Sequence, residues 1–153
     1  MTAGPEIYVD ADACPVKDEI LRVAERHKLR VHLVSNSGMF GFHDHPLVAQ
    51  TVVGDAIDAA DDWIAERAGN GDIVVTQDIP LADRCIKAEA RVLRPNGEPL
   101  DAASIGMALA TRDLMTKLRA DGEITRGPRA FSKQDRLQFL QSLETAVQAV
   151  KRN

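Results

Sequence analysis

Residues 7–12 read IYVDAD and decide the fold class of this chain. The first three residues form a short apolar run, which is typical of a strand buried in a sheet. Pro15 follows the acidic turn and suits the first turn of a helix, and apolar residues then recur at helical spacing through His27. A buried strand, an acidic turn and an amphipathic helix, in that order, predict an α/β unit with carboxylates at a strand end.

The same alternation of strand and helix continues through residue 94. Further strands are predicted at 31–34, 48–53, 73–75 and 92–93. Helices are predicted at 15–27, 55–68, 80–88, 104–120 and 133–150. This order predicts a three-layer α/β fold with a parallel sheet of about five strands. Residues 1–153 are expected to form a single domain, with extra C-terminal helices over about 104–150.

The composition excludes several classes of protein. An apolar fraction of 44% and a charged fraction of 27% are ordinary for a soluble globular chain, not for a disordered or fibrous one. No run approaches the roughly 18 apolar residues of a membrane span, and the start of the chain resembles no secretory signal. Cys14 and Cys85 are too far apart for a zinc knuckle and too few for a disulfide framework. We therefore expect a cytoplasmic protein without a membrane partner.

Charge is unevenly distributed along the chain. Residues 1–110 carry 10 basic and 18 acidic residues, a net charge of −8, whereas residues 111–153 carry 9 basic and 5 acidic, a net charge of +4. An acidic body with a basic C-terminal segment suits cations in one place and phosphates in another. Solvated helix faces explain the same asymmetry, so charge alone does not define a function.

Acidic residues stand where predicted strands end. Asp10 and Asp12 follow the first strand, and Asp78 follows the fourth. In open α/β sheets, ligands bind beyond the carboxyl ends of the strands, where the strand order reverses. A single Asp after a strand is more often a helix cap. The pair Asp10 and Asp12, with Asp78 in the same layer, favours a functional site over three separate caps.

The predicted helix at 55–68 places an acid among its apolar positions, which are Ile57, Ala60, Ile64 and Ala68. Asp61 falls within this face and Asp58 at its edge. A carboxylate on a core face is costly unless it is paired or binds a metal. The alternatives are that Asp61 pairs with a buried Arg or lies at a poorly covered end of the helix. Carboxylates that converge repel each other and suit Mg²⁺ or Mn²⁺, which can activate water against a phosphodiester.

Four segments carry a resemblance to a known family. They are 9–17 (VDADACPVK), 58–64 (DAADDWI), 71–82 (GDIVVTQDIPLA) and 126–131 (RGPRAF). Together they resemble the bacterial YaiI/YqxD family over nearly the whole chain. That family in turn resembles the PIN-like nucleases, in which acids from strand one, a mid-chain helix and strand four hold Mg²⁺ or Mn²⁺.

By position, this resemblance implies catalytic roles for Asp10, Asp61 and Asp78. The implied metal ligands are Asp10, Asp12, Asp58, Asp61, Asp78 and Asp83. Asp58 and Asp61 are alternatives for the helical acid, which is commonly Glu in PIN domains. The resemblance thus implies a metal-dependent nuclease acting on RNA or another nucleic acid.

Polar and basic residues near these acids are the predicted substrate-binding set. They are Ser35, Asn36, Thr76, Arg126, Arg129 and Lys133. An exposed helix start with arginines suits a phosphate backbone, although a solvated basic loop explains the arginines equally well. Aromatic residues make up only 4% of the chain, which argues against recognition of bases by stacking.

Two other functions fit part of the pattern. Asp10 and Asp12 also resemble the first motif of haloacid dehalogenase phosphatases, as nucleophile and acid, and residues 33–36 resemble the second motif. No Lys or Arg occurs between Asn36 and Gly54, where the third motif would be expected. A nucleic-acid-binding module that has lost turnover is the other alternative. Cys14 and Cys85 are expected to be structural.

Overall fold

A computed structural model of the chain describes residues 4–36, 41–42, 44–123 and 130–152. The strands within these ranges are β1 Glu6–Asp10, β2 Arg30–Ser35, β3 Val48–Val52, β4 Ile73–Val75, β5 Arg91–Leu93 and β6 Pro99–Leu100. The α-helices are α1 Lys17–His27, α2 Ala59–Arg67, α3 Ile79–Lys87, α4 Ile105–Ala120 and α5 Lys133–Lys151. A short 3-10 turn, Ala11–Ala13, follows β1 directly. No helix in this described part of the chain is both long enough and apolar enough to cross a membrane.

The strands form one sheet in the order β3-β2-β1-β4-β5-β6. The first five strands run parallel, which confirms the predicted α/β class. β6 was not predicted from the sequence. It is antiparallel to β5 and only two residues long, too short to show an alternating pattern. The strand order reverses between β1 and β4, so the carboxyl ends of these two strands flank the point where α/β sheets bind ligands.

Helices cover both faces of the sheet, as a three-layer fold requires. On one face, α1 and α5 bury Ile20, Phe139 and Leu143 against the side chains of Ile7 and the neighbouring strands. On the other face, α2 and α3 pack against alternate strand residues such as Val74 and Val92. The central strands β1 and β4 are therefore buried between two apolar layers, whereas the outer strands β2 and β3 also carry partly buried polar residues such as His32 and Gln50.

The second helix is shorter than the sequence predicted. It begins at Ala59, not near residue 55, and Ile57 is 91% exposed, so its placement on the apolar face was wrong. Asp58 adopts a left-handed backbone with φ of 65°, which an α-helix cannot continue through, and which Asp tolerates better than most residues. The turn at 55–58 consequently stays outside the helix, while Ala60 and Ile64 are buried as predicted.

The fifth helix is fixed at its start beside the turn that follows β1. Ser132 Oγ accepts a hydrogen bond from the Asp135 amide at 3.1 Å, and Asp135 Oδ2 accepts one from the Ser132 amide at 3.0 Å, which forms a capping box. The Arg136 guanidinium donates to the Pro15 carbonyl oxygen at 2.6 Å. The start of α5 is therefore joined to the segment between β1 and α1, and Arg136 also pairs with Glu19 of α1 at 3.5 Å.

The fourth helix is largely solvent-exposed. Only Ile105 of its 16 residues is buried, and it packs mainly against α3. Met107 and Leu114 are 73% and 56% exposed. A helix with so little burial gains little of its stability from tertiary packing, so its outward face is open to a further partner or ligand.

Candidate active site

The centre of the site is formed by the carboxyl ends of β1 and β4. Val9 pairs with Val75 in the parallel register, so Asp10 and Thr76, the next residues, lie side by side. The Thr76 hydroxyl donates to Asp10 Oδ2 at 3.1 Å and accepts a hydrogen bond from the Asp78 amide at 2.9 Å. Thr76 is buried and thus orients the Asp10 carboxylate while fixing the turn that carries Asp78.

Asp78 is the N-cap of α3. Its Oδ1 accepts a hydrogen bond from the Leu81 amide at 2.9 Å, and Pro80 lies within the first turn of the helix. The capping role weighed in the sequence analysis is therefore confirmed for Asp78. Because the cap uses only one carboxylate oxygen, capping and participation in the acidic site are compatible.

Asp61 approaches the same point from α2. It is partly buried, and the carboxylate of Asp78 is the neighbouring charge that acts on it most strongly. Burial, followed by the charges of Asp78, Asp10 and Asp58, raises the pKa of Asp61 to about 7. Removal from water and nearby like charges both disfavour the ionised carboxylate, so the two causes act in the same direction.

Asp10 shows the same electrostatic strain. Burial raises its pKa, the hydrogen bond from Thr76 opposes that rise, and the charges of Asp78 and Asp12 add to it. The neighbouring charges that shift Asp10 and Asp61 in this way are carboxylates. Asp10, Asp61 and Asp78 therefore form one group that interacts strongly, which we name the acidic cluster.

Asp12 and Asp58 lie at the edge of the acidic cluster. Both are exposed. Asp12 Oδ2 accepts a hydrogen bond from the Asn36 amide at 2.8 Å, which joins the turn after β1 to the end of β2. Asp58 precedes α2 and acts on Asp61 through its charge, without capping the helix through its side chain.

Other acids predicted near this site have partners elsewhere. Asp83 forms an ion pair with Lys87 at 3.0 Å, one turn further along α3. Arg84 pairs with Asp62 at 2.8 Å, on the exposed side of α2. Arg84 therefore pairs with Asp62 and not with Asp61, so the structure does not support an Arg ion pair as the reason for the position of Asp61.

The predicted substrate-binding residues are spread over several surroundings. Ser35 is buried at the end of β2, and Asn36 beside it is exposed. Lys133 is exposed at the start of α5. Arg126 and Arg129 lie outside the described residues, and their role stays a prediction. Thr76 contacts Asp10 directly, which makes it a positioning residue.

The cysteine nearest the site is structural, as expected. Cys14 is only 8% exposed, and burial raises the pKa of its thiol to about 11. Such a thiol is almost fully protonated at neutral pH and is a poor nucleophile. Cys85, on the inward face of α3, is completely buried.

A groove adjoins the acidic cluster and was not predicted. It has a volume of about 540 Å³ and runs from Asp78 along α4, opposite the turn that joins β5 to β6. Its cationic residues are Arg94, Arg112 and Arg119. The sequence carried a signal for it, because Arg112 and Arg119 are seven residues apart and therefore share one helix face.

The fold and the site define an α/β protein with a carboxylate cluster at the switch point of its sheet. The chain belongs to the family described as "Uncharacterized BCR, YaiI/YqxD family", which matches residues 8–149. A UPF0178 protein of Parvibaculum lavamentivorans is 61% identical over 147 residues, 96% of each chain. One of Nitrobacter winogradskyi is 58% identical over 146 residues, 95% of this chain and 92% of that protein. No solved structure matches the chain.

Proposed function

We propose that this protein is a divalent-cation-dependent phosphodiesterase that cleaves RNA or a related nucleic acid. The observation that carries this proposal is the convergence of Asp10, Asp61 and Asp78 at the switch point, where burial and mutual repulsion raise the pKa of Asp61 to about 7. Strongly perturbed carboxyl groups that cluster at a ligand-binding edge are more typical of a functional site than of a structural one.

The donor set of the acidic cluster fits Mg²⁺ or Mn²⁺. All its donors are carboxylate oxygens, which these cations prefer. As positioned, no three His, Cys, Asp or Glu side chains of the described ranges stand together closely enough to hold an ion. Burial and the charges of Asp78 and Asp10 raise the pKa of Asp61, so its protonated form relieves part of the repulsion that a cation would otherwise relieve. Binding of a cation would require Asp61 to release this proton.

The residues of the chain divide the work of such a site. Thr76 orients Asp10, and the helix cap fixes the backbone of Asp78, so two of the three carboxylates are held before any ligand arrives. Asp61 reaches the cluster from a different element and keeps a proton near neutral pH. A bound divalent cation supplies Lewis-acid activation of a phosphodiester and of water. The resemblance of the family to PIN-like nucleases supports the same assignment, with Asp12 and Asp58 at the rim and Asp83 as a more distant candidate ligand.

The phosphatase alternative makes a different chemical demand. It requires a covalent aspartyl-phosphate on Asp10 and a proton donor at Asp12. One oxygen of Asp12 instead accepts a hydrogen bond from the Asn36 amide, which holds this side chain against the end of β2. Trapping of phosphate on Asp10 from a phosphomonoester substrate would support the phosphatase and contradict the proposal.

Hydrolysis of RNA by the purified protein tests the proposal. With Mn²⁺ present, a mixed set of single-stranded RNAs is expected to be cleaved, and EDTA is expected to stop the reaction because it removes the cation. Product is followed by gel electrophoresis against time. A protein that binds RNA but releases no product with any divalent cation would be the binding module, and the proposed activity would be wrong.

A further inference from the structure

The groove beside the acidic cluster has one wall of defined chemistry. Its residues on α4 recur at the spacing of one helix face and are Ser104, Met107, Ala108, Thr111, Arg112, Met115, Thr116 and Arg119. This stripe presents hydroxyl and guanidinium groups and contains no carboxylate. Arg112 and Arg119 are two turns apart, about 10.5 Å along the helix axis. Gln77, Asp78 and Ile79 form the end of the groove, so it opens onto the acidic cluster.

The cations of this groove are available to a ligand. Among the residues that the structure describes, the ion-pair partner of Arg112 is its sequence neighbour Asp113, at 3.4 Å. The two side chains are 50% and 73% exposed, so the pair is weak. Arg119 has no ion pair within the residues that the structure describes. Arg94, on the opposite wall, faces Glu98 at 3.7 Å. The described residues that line the groove therefore include three arginines and two carboxylates, Glu98 and Asp78, so the net charge of the lining is positive.

We propose that this groove binds the phosphate backbone of a single-stranded nucleic acid, with Arg112 and Arg119 each contacting a phosphate. This inference rests on the proposed function in one respect, since it places the strand so that it continues into the acidic cluster. Charge complementarity favours a polyanion as the ligand, because the arginines attract its phosphates. The carboxylates of the acidic cluster repel the phosphates unless a cation is bound at that cluster. The groove wall offers no aromatic side chain, so recognition is of the backbone and not of the bases.

A second copy of the chain is the competing occupant of α4. Met107 and Leu114 are exposed apolar residues on this helix, as a dimer contact would need. The arginines argue for the nucleic acid, because a symmetric contact would bring the same cations of two copies towards each other. The two occupants are separated by the oligomeric state of the protein, which is measured below.

The test is the binding of a fluorescein-labelled single-stranded RNA of about twelve nucleotides, a length within the range of common binding sites. Binding is followed by fluorescence anisotropy in EDTA over a series of salt concentrations, so that no cleavage occurs. Arg112→Ala with Arg119→Ala is expected to weaken binding about tenfold. The slope of log affinity against log salt should fall by about 1.4, since each phosphate contact to a single strand contributes about 0.7.

The matched control is Arg22→Ala with Lys117→Ala. It removes the same charge from exposed positions that lie outside the groove. Its salt slope is expected to equal that of the parent, and Arg112→Lys with Arg119→Lys should also keep the parent slope. The proposal would be wrong if the two double Ala variants weakened RNA binding equally. It would also be wrong if the parent protein did not bind the RNA at low salt. Thermal melting of each variant shows that it is folded.

Two further results distinguish nucleic-acid binding in the groove from a dimer contact on α4 and from the proposed cleavage activity. The parent is expected to sediment as one 16.7 kDa chain. A dimer that Leu114→Glu dissociates would place a second copy on α4 and overturn the proposal. Groove-dependent binding without cleavage in Mn²⁺ would leave the groove in place and contradict the proposed activity. Cleavage that is unaffected by the Arg112 and Arg119 substitutions would support the proposed activity and contradict the binding of the nucleic acid in the groove.

Discussion

Asp78→Asn is expected to lower the rate of Mn²⁺-dependent RNA cleavage at least about 100-fold, since even the outer partners of a metal site are worth roughly 10–100-fold. Asn keeps the oxygen that accepts the hydrogen bond from the Leu81 amide, so the start of α3 should be preserved. What the variant loses is the negative charge. The rate is measured with parent and variant purified in the same way and at the same concentration.

Asp62→Asn is the matched control for this experiment. It makes the same change at an exposed residue of α2 that pairs with Arg84 away from the acidic cluster. Its cleavage rate should equal that of the parent. Equal cleavage by the parent and Asp78→Asn preparations would show that the activity does not depend on Asp78. The activity would then come from a contaminating nuclease, and the assignment of Asp78 to catalysis would be wrong.

Asp61→Asn is expected to stabilise the ion-free protein at alkaline pH. Burial and neighbouring carboxylates raise the pKa of Asp61 to about 7 in the folded state, whereas an unfolded chain has an Asp pKa of about 3.9. Between these values the folded state holds the extra proton, so the free energy of unfolding falls as pH rises through this window. At about pH 8 the variant should exceed the parent by about 1–2 kcal/mol, after allowance for solvent screening of a partly exposed group.

Urea denaturation in EDTA at about pH 4 and about pH 8 measures this effect, because only the higher pH ionises Asp61 fully. The two proteins should be equally stable at the lower pH. Asp62→Asn again serves as the control and should show no gain, because it loses its ion pair with Arg84. A difference between parent and Asp61→Asn that is the same at both pH values would show that Asp61 does not titrate as the structure indicates.

Much of the acidic cluster was predictable because sheet geometry fixes it. Parallel strands that end in Asp10 and Thr76 must bring those residues to one edge, and the hydrophobic pattern alone located both strands. The sequence indicated both the capping role of Asp78 and its place in the cluster, because an Asp shortly after a predicted strand is typical of both. The packing of α2 could not be predicted to the same precision, and the approach of Asp61 to Asp78 follows only from where α2 lies on the sheet.

Local backbone conformation limited the prediction of other parts. Helical periodicity extended α2 back to residue 55, but the left-handed backbone of Asp58 makes the helix begin only at Ala59, and no sequence period reports that conformation. β6 was too short to leave an alternating pattern. The groove beside α4 was not predicted for a different reason. Arg94 and Arg112 belong to separate elements, and only the packing of α4 beside the turn after β5 brings them to one groove.

Manganese-dependent melting of parent and Asp10→Asn protein tests the central claim most directly, because it needs no substrate. Two carboxylates about 4 Å apart repel by about 4 kcal/mol at an effective dielectric constant near 20, so in EDTA the variant should be no less stable than the parent. Mn²⁺ at 100 times its dissociation constant should stabilise the parent by about 2.7 kcal/mol, raising its Tm by about 5–10 °C. Asp10→Asn protein should lose most of that rise. An equal rise in both proteins, or none in the parent, would contradict a cation site built on Asp10.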